Sequence, residues 1–230
     1  MKSCRESLPA GRQAIVLLSG GLDSATALYI AKKQGYQCFC LIFDYDQRHR
    51  KEIHCARSIA KKAGVKFEVI KIALPWKGSA LLDNRIKVRA RGYASQGEIP
   101  ATYVPARNII FLSFALSYAE AIHARAIFIG AHAQDYSGYP DCRAEFFRAF
   151  GEVVACGTKA GAEKRKISIE TPLINKTKSA IIKLGAQLGV PFELTWSCYR
   201  GKRQPCRKCD SCYYRAKGFR EAGMEDPLIK

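Results

Sequence analysis

The sequence predicts an α/β protein built on a parallel sheet with helices on both faces. Short apolar runs alternate with segments of helical period through the N-terminal third of the chain. A Ser-Gly-Gly turn joins the first apolar run to the first helical segment. Strand–helix–strand order of this kind demands right-handed crossovers and buried, near-continuously apolar strands. At 230 residues, 48% hydrophobic and 25% charged, the chain has material for one such core and a small appendage.

The elements follow in order. Ala14–Leu18 (AIVLL) reads as a buried strand, and Asp23–Lys33 as a helix. Gln37–Phe43 (QCFCLIF) is a second strand, and Arg50–Ala63 a helix with Gly64 where a C-cap glycine belongs. Lys66–Ile72 makes a third strand. From Ala73 to Tyr103 the periodicity gives way to glycine, proline and charge. A loop that long in a compact domain is expected to cover a substrate. Arg107–His123 resumes as an apolar helix, then strand Ala126–Gly130, loop Ala131–Pro140 and helix Asp141–Cys156. The turn-like TPLINK precedes a helix over Thr177–Leu188. A cysteine-rich segment from Cys198 and a final helix close the chain.

Lysine and arginine total 38 against 20 acidic residues, a formal charge of +18. Such a surplus suits RNA, anionic membrane or a polyanionic small substrate, or is simply a basic surface. The basic runs at Lys159–Lys166 and Arg200–Lys208 lack the interleaved aromatics of a single-strand platform, and charge alone decides nothing; direct tRNA binding is not expected. No apolar run approaches the roughly 18 residues that span a bilayer, and MKSCRESLPAGRQ contains no secretory core. A cytoplasmic protein without membrane contact is the expectation.

Ten cysteines are present, four of them between Cys198 and Cys212. Cys198, Cys206, Cys209 and Cys212 are spaced C-x7-C-x2-C-x2-C, which can place four thiolates around one tetrahedral ion. Four thiolates with no vacant position point to one structural zinc ion per chain; an iron–sulfur cluster is the alternative.

The string Ser19-Gly20-Gly21-Leu22-Asp23-Ser24 lies between the first strand and the first helix. Glycines let backbone approach an anion, and the N–H groups of the helix N-terminus point at it. Ser19 and Ser24 add hydroxyls. Asp23 beside phosphate needs an intervening cation, which points to magnesium. A plain Gly-Gly turn with a capping Ser or Asp is the simpler reading, but it leaves the complete string unexplained. Neither G-x-x-x-x-G-K-[ST] nor G-x-G-x-x-G is present.

This string resembles the S-G-G-x-D-S signature of the PP-loop ATP pyrophosphatase superfamily. The resemblance implies a Rossmann-like adenine-nucleotide α-hydrolase fold, ATP cleaved between its α and β phosphates, and an adenylate attacked by a nitrogen or sulfur nucleophile. It implies ATP-binding residues Leu18, Ser19, Gly20, Gly21, Leu22, Asp23, Ser24, Ala25, Thr26, Ala27 and Leu28, with Asp23 and Ser24 catalytic and adenine held near Leu41–Phe43. The domains then read as an N-terminal extension over 1–13, an ATP-binding catalytic domain over 14–190 and a zinc-binding helical segment over 191–230.

Further strings appear in order: FDYDQRHRKE (Phe43–Glu52), TYVPARN (Thr102–Asn108), DYSGYPDCR (Asp135–Arg143), ETPL (Glu170–Leu173) and TWSCY (Thr195–Tyr199). Together with the loop and the cysteines they are similar to the 7-cyano-7-deazaguanine synthase family of queuosine precursor biosynthesis, from about Ala14 to Phe219. That resemblance implies conversion of 7-carboxy-7-deazaguanine, ammonia and ATP to the nitrile through an activated carboxylate and an activated amide. It also implies a homodimer. No glutaminase domain fits in the chain, so free ammonia is the expected donor. Asp46 and Ala106 stand where the family carries glycine; Asp tolerates left-handed backbone, whereas Ala there is strained if φ is positive.

Candidate substrate-binding residues are Arg107, Asp135, Tyr139, Asp141 and Arg143. A carboxylate after a strand can accept the paired N–H groups of a guanine-like edge, a tyrosine can stack on the base, and an arginine can hold a carboxylate or phosphate. Alternatively, Asp141 caps the following helix and the arginines are surface groups. Gln47, Arg48 and His49 face the same edge, with His49 a candidate base or a plain loop histidine. Lys176 and Lys178 read as solvated lysines with weak phosphate potential. Cys142 is either a packed small residue or the persulfide carrier of a tRNA thiolase. A zinc-ribbon nucleic-acid binder built on Arg200–Lys217 leaves the phosphate loop without a role.

Overall fold

Alternation along the first strand sorts the core into two layers. Gln13–Leu17 (β1) buries Ala14 and Val16 in one cluster and Ile15 and Leu17 in another, as the two-residue period of a strand covered on both faces requires. The computed structural model describes residues 12–48, 50–88, 99–132, 139–201 and 204–229. The chain continues through Leu22–Lys33 (α1), Gln37–Asp44 (β2), Lys51–Ala63 (α2), Lys66–Lys71 (β3), Arg107–Ala121 (α3) and Ala126–Phe128 (β4). Ala144–Gly157 (α4), Lys159–Ala162 (α5), Ser168–Glu170 (β5), Lys178–Gln187 (α6) and Asp210–Ala222 (α7) complete it.

All strand pairings are parallel, in the order β3-β2-β1-β4-β5. Residues of α1, α2, α6 and α7 pack on one face of the sheet. Those of α3 and α4 pack on the other. The order reverses beside β1, so a crevice opens beyond the carboxyl ends of β1 and β4, where ligands bind in open α/β sheets.

Several boundaries differ from expectation for local reasons. The helix expected from Asp141 begins instead with a 3-10 turn at Pro140–Cys142, and α4 starts at Ala144. Strand β5, at the sheet edge, is only three half-buried residues, too short to show a period. The start of the basic run from Lys159 forms α5, capped by Thr158, whose hydroxyl accepts from the Gly161 N–H at 2.9 Å. Arg48 pins the long loop after β3: its backbone N–H donates to Leu81 and its guanidinium to the Ala80 carbonyl.

The C-terminal segment shares the main core. Phe219 of α7 meets Phe192 edge-on at 5.4 Å. A Cβ on Gly218 would lie 2.4 Å from Lys178 Cγ, so glycine there lets α7 lie directly against α6. Arg215 and Asp226, both buried, form a two-point ion pair at 2.8 and 2.9 Å, and Arg215 also donates to Thr195 Oγ1 at 2.7 Å. With every charge paired, the penalty of burying both ions is offset.

Candidate active site

The phosphate loop forms as its residues dictate. Gly20 takes φ +84°, and a Cβ there would lie 2.2 Å from the Glu52 carbonyl, so only glycine lets α2 seat against the loop. The Ser19 hydroxyl donates to Ser24 Oγ at 3.0 Å, and Ser24 Oγ donates to the Gly21 carbonyl. Gly21 is the N-cap of α1, with no side chain capping that end, which leaves the first-turn N–H groups directed outward at the positive end of the helix.

A cavity of about 270 Å³ lies over this loop. One end is apolar, walled by Leu17, Leu41, Phe43, Phe111 and Ile129, with Phe43 stacked on Phe111 at 3.9 Å. The other end carries Ser19, Asp23, Ser24, Arg48, Glu52 and Arg107. A second cavity of about 180 Å³ adjoins it, lined by Leu22, His132, Lys178, Ser197, Tyr214 and Arg215 among others. Asp23, Arg107, Gly130, Ala131, Tyr139, Cys142 and Tyr199 border both. Two compartments thus meet at one polar junction.

Asp23 lies at that junction. Lys178 donates to both of its carboxylate oxygens at 2.9 Å, and His132 Nε2 is 3.5 Å from one of them. Burial raises the cost of its charge, but Lys178 and His132 more than offset this and hold the carboxyl well below the usual range. Lys178 is only 12% exposed, so the solvated lysine read from sequence is corrected. It follows Thr177, the N-cap of α6, whose hydroxyl accepts from Ala180. Its aliphatic shaft runs over Gly218.

The expected site residues divide by place. Leu18, Ser19, Gly21, Asp23 and Ser24 line the larger cavity, and Leu22 lines the smaller. Gly20 shapes the loop from behind. Ala25, Thr26, Ala27 and Leu28 are fully buried in α1, where they seat the helix against the core. Arg107 and Tyr139 line both cavities, with Arg107 donating to Tyr45 Oη at 3.4 Å and Tyr139 Oη 2.6 Å from Thr102 Oγ1. Asp141 is 6% exposed, and its carboxylate accepts the Asn108 N–H at 3.0 Å. It therefore holds the start of α3, on which Arg107 sits, rather than capping the helix that follows it. Arg143 is half exposed, pairs with Glu145 at 3.6 Å and is absent from both cavity linings. Asp135 and His49 lie outside the described residues.

Gln47 is buried, its amide bonded to the Tyr45 N–H and the Phe43 carbonyl; it shapes the strand end. The Cys142 thiol accepts from Asn108 Nδ2 at 3.3 Å, and burial pushes its pKa up to about 11. Sequence reasoning passed over His132 and Glu52. His132 follows β4, where a strand end at the switch point was the available signal; Glu52 was hidden in a charged helix start.

The four cysteine sulfurs all lie within 4.8 Å of one another, and Cys206 Sγ is 3.9 Å from Cys212 Sγ. A tetrahedral ion with bonds of roughly 2.3 Å needs sulfurs about 3.8 Å apart, so the set fits a metal. Backbone N–H groups of Arg200 and Cys206 point at Cys198 Sγ at 3.4 and 3.3 Å, and that of Cys209 at Cys206 Sγ at 3.4 Å, as thiolates prefer. This segment touches the phosphate loop directly: the Trp196 N–H donates to the Gly20 carbonyl at 2.9 Å, and Lys51 Nζ stands 3.6 Å over the Trp196 ring.

A parallel sheet with an SGGLDS turn at its switch point, roofed by two joined cavities, defines a protein of the PP-loop class. Solved structures that resemble it include an NMN synthetase from Francisella tularensis, with TM-score 0.51 and 21% identity over 94% of this chain and 79% of that one. A 4-thiouridine synthetase, solved as an RNA complex with bound ATP, gives TM-score 0.50 and 18% identity over 92% and 50%. Residues 13–223 match the family described as Queuosine biosynthesis protein QueC, and the chain belongs to that family. Relatives named 7-cyano-7-deazaguanine synthase include those of Trichormus variabilis, 55% identical over 94% of this chain and 97% of the relative, and Clostridium kluyveri, 51% identical over 94% and 97%. That of Thermoplasma volcanium is 49% identical over 94% and 90%.

Proposed function

We propose that this protein converts 7-carboxy-7-deazaguanine, ammonia and ATP into 7-cyano-7-deazaguanine, by way of an adenylated carboxylate and then an adenylated amide. The observation that carries the reading is the pair of cavities joined at Asp23, Arg107 and Tyr139, in a chain of this family. ATP takes the larger cavity, with adenine at the apolar end between Leu41 and Phe111 and phosphates on the loop from Ser19 to Ser24. The deazaguanine takes the smaller one, where Tyr139, Tyr199 and Tyr214 offer aromatic faces. Arg107, at the boundary, neutralises the carboxylate as it meets the α-phosphate. Nothing here requires a covalent enzyme intermediate, because positioning and charge neutralisation supply the rate.

Asp23 and the ATP phosphates would hold magnesium, which supplies charge neutralisation on the departing pyrophosphate. Lys178, released from Asp23, turns to that same pyrophosphate. The cysteine set would hold zinc in a structural role, since all four positions are filled by thiolates. The test is a mass-spectrometric assay with ATP, magnesium, ammonium and the carboxylic acid. Amide followed by nitrile is expected, and bound ATP with no product overturns the assignment. A thiolase reading gains nothing from Cys142, whose thiol is neutral and hydrogen-bonded.

A further inference from the structure

The larger cavity holds a second carboxylate. Glu52 lies in the first turn of α2, whose backbone packs on Gly20 of the phosphate loop. Unlike Asp23, it has no hydrogen bond to its carboxylate among the described residues. Tyr45 and Arg48 from the end of β2, Arg107 from α3, and Tyr199 share the cavity wall with it. Burial pushes its pKa up to about 7, Arg107 pulls it down, and the Cys198 sulfur adds to the rise. Buried without a hydrogen bond to its oxygens, the charged carboxylate costs the fold rather than supporting it.

The proposed reaction leaves a demand that this group meets. At neutral pH the nitrogen donor is ammonium, which has no lone pair until a proton leaves. The nitrogen must later shed its last protons to become a nitrile. Two groups at the junction itself are poorly matched: Asp23 is held by Lys178 and His132, and the Cys142 thiol is pushed up to about 11. General bases act best when their proton affinity lies near the working pH.

We infer that Glu52 receives the donor as ammonium, accepts its proton, and serves the same nitrogen again when the nitrile forms. This rests on the function proposed above. In the first half-reaction one ammonium proton passes to Glu52, and the freed lone pair forms the C–N bond to the acyl carbon. A second proton leaves the adduct to water as the C–O bond to AMP breaks, the electron pair departing on the phosphate. Glu52 returns its proton to solvent. In the second half-reaction the amide oxygen takes AMP from a second ATP and pyrophosphate leaves. Of the two protons then on nitrogen, one goes to water and one to Glu52 as the C–O bond breaks and the third C–N bond forms.

The test compares ammonium with hydroxylamine, a nucleophile largely uncharged at neutral pH, in the wild-type protein, Glu52→Gln and Glu52→Asp. Glu52→Gln is expected to lose roughly 10²-fold or more in amide formation from ammonium, yet to keep hydroxamate formation within a few-fold of wild type. Glu52→Asp should recover part of the ammonium reaction. Unchanged use of ammonium by Glu52→Gln would overturn the inference. So would equal loss with both nucleophiles, and a parallel rise in the magnesium requirement would then assign Glu52 to the metal. A wild-type protein that forms neither amide nor hydroxamate overturns the proposed function, and this inference with it.

Discussion

Lys178 Nζ lies 2.9 Å from both carboxylate oxygens of Asp23, although 155 positions separate them in the chain. The phosphate loop is thus completed by α6, and α6 is in turn pressed into place by Gly218 of α7. Lys178→Met keeps the aliphatic shaft and removes the charge. Turnover is expected to fall by about 10²–10³-fold, the usual cost of losing one electrostatic stabiliser, with partial recovery in Lys178→Arg. Asp23→Ala is expected to abolish turnover while thermal unfolding moves little. Steady-state kinetics and a melting curve check both.

Ala106 is the N-cap of α3 with φ 54° and ψ 23°, a left-handed conformation that costs an L-residue about 1–2 kcal/mol. Glycine there relieves the strain but gives the unfolded chain about 0.4–1 kcal/mol more entropy to lose. Ala106→Gly is therefore expected to stabilise the protein by a net ~0.5–1 kcal/mol, visible as a higher denaturant midpoint at unchanged slope. Asp46, at φ 59° and highly exposed, should gain less from the same change, because Asp tolerates this region better.

Glu52 links stability to pH. Its folded pKa is about 7 against an ordinary 4.5, so between those values the folded chain binds more protons than the unfolded one. Stability contributed at this site must then fall as pH rises through that window. Glu52→Gln is expected to match wild type near pH 4.5 and to melt at higher temperature than wild type above pH 7, in the ligand-free protein. Thermal scans across that range decide it. A variant no more stable at pH 8 would mean the carboxylate is not strained by burial.

Cys209 is fully buried, with its N–H directed at Cys206 Sγ. Cys209→Ser is expected to lose stoichiometric metal, measured by elemental analysis, and much of its solubility, because a structural site contributes folding free energy directly. Because Trp196 fastens Gly20, ATP affinity should weaken in parallel. A zinc-free variant of full activity would contradict the structural role.

The parts of this molecule legible in sequence are those where a local pattern has one physical solution. Ala14–Val16 is apolar throughout and buries completely; Gly64 ends α2 at φ 67° as a C-cap glycine should. SGGLDS and the cysteine spacing are local too, and each lies as a unit in the fold. Lys178 and His132 were obscure for the opposite reason. Their roles come from tertiary neighbours, and a lysine near a helix start looks solvated until α7 covers it. Asp141 belongs with them: the chain alone offers it as a substrate ligand or as a cap of the next helix, whereas packing hands its carboxylate to α3. Strand β5 is too brief to carry a period, so only its pairing with β4 identifies it.

The bond from the Trp196 N–H to the Gly20 carbonyl gives the protein an order of assembly. A chain emerging from the ribosome can lay down β1 and α1 early, but the turn between them waits for a partner made near the end of synthesis. Still further along come the four cysteines that could hold a metal ion. The finished shape of the phosphate loop is therefore among the last features the chain acquires, because its fastening residue, Trp196, lies far downstream of Gly20.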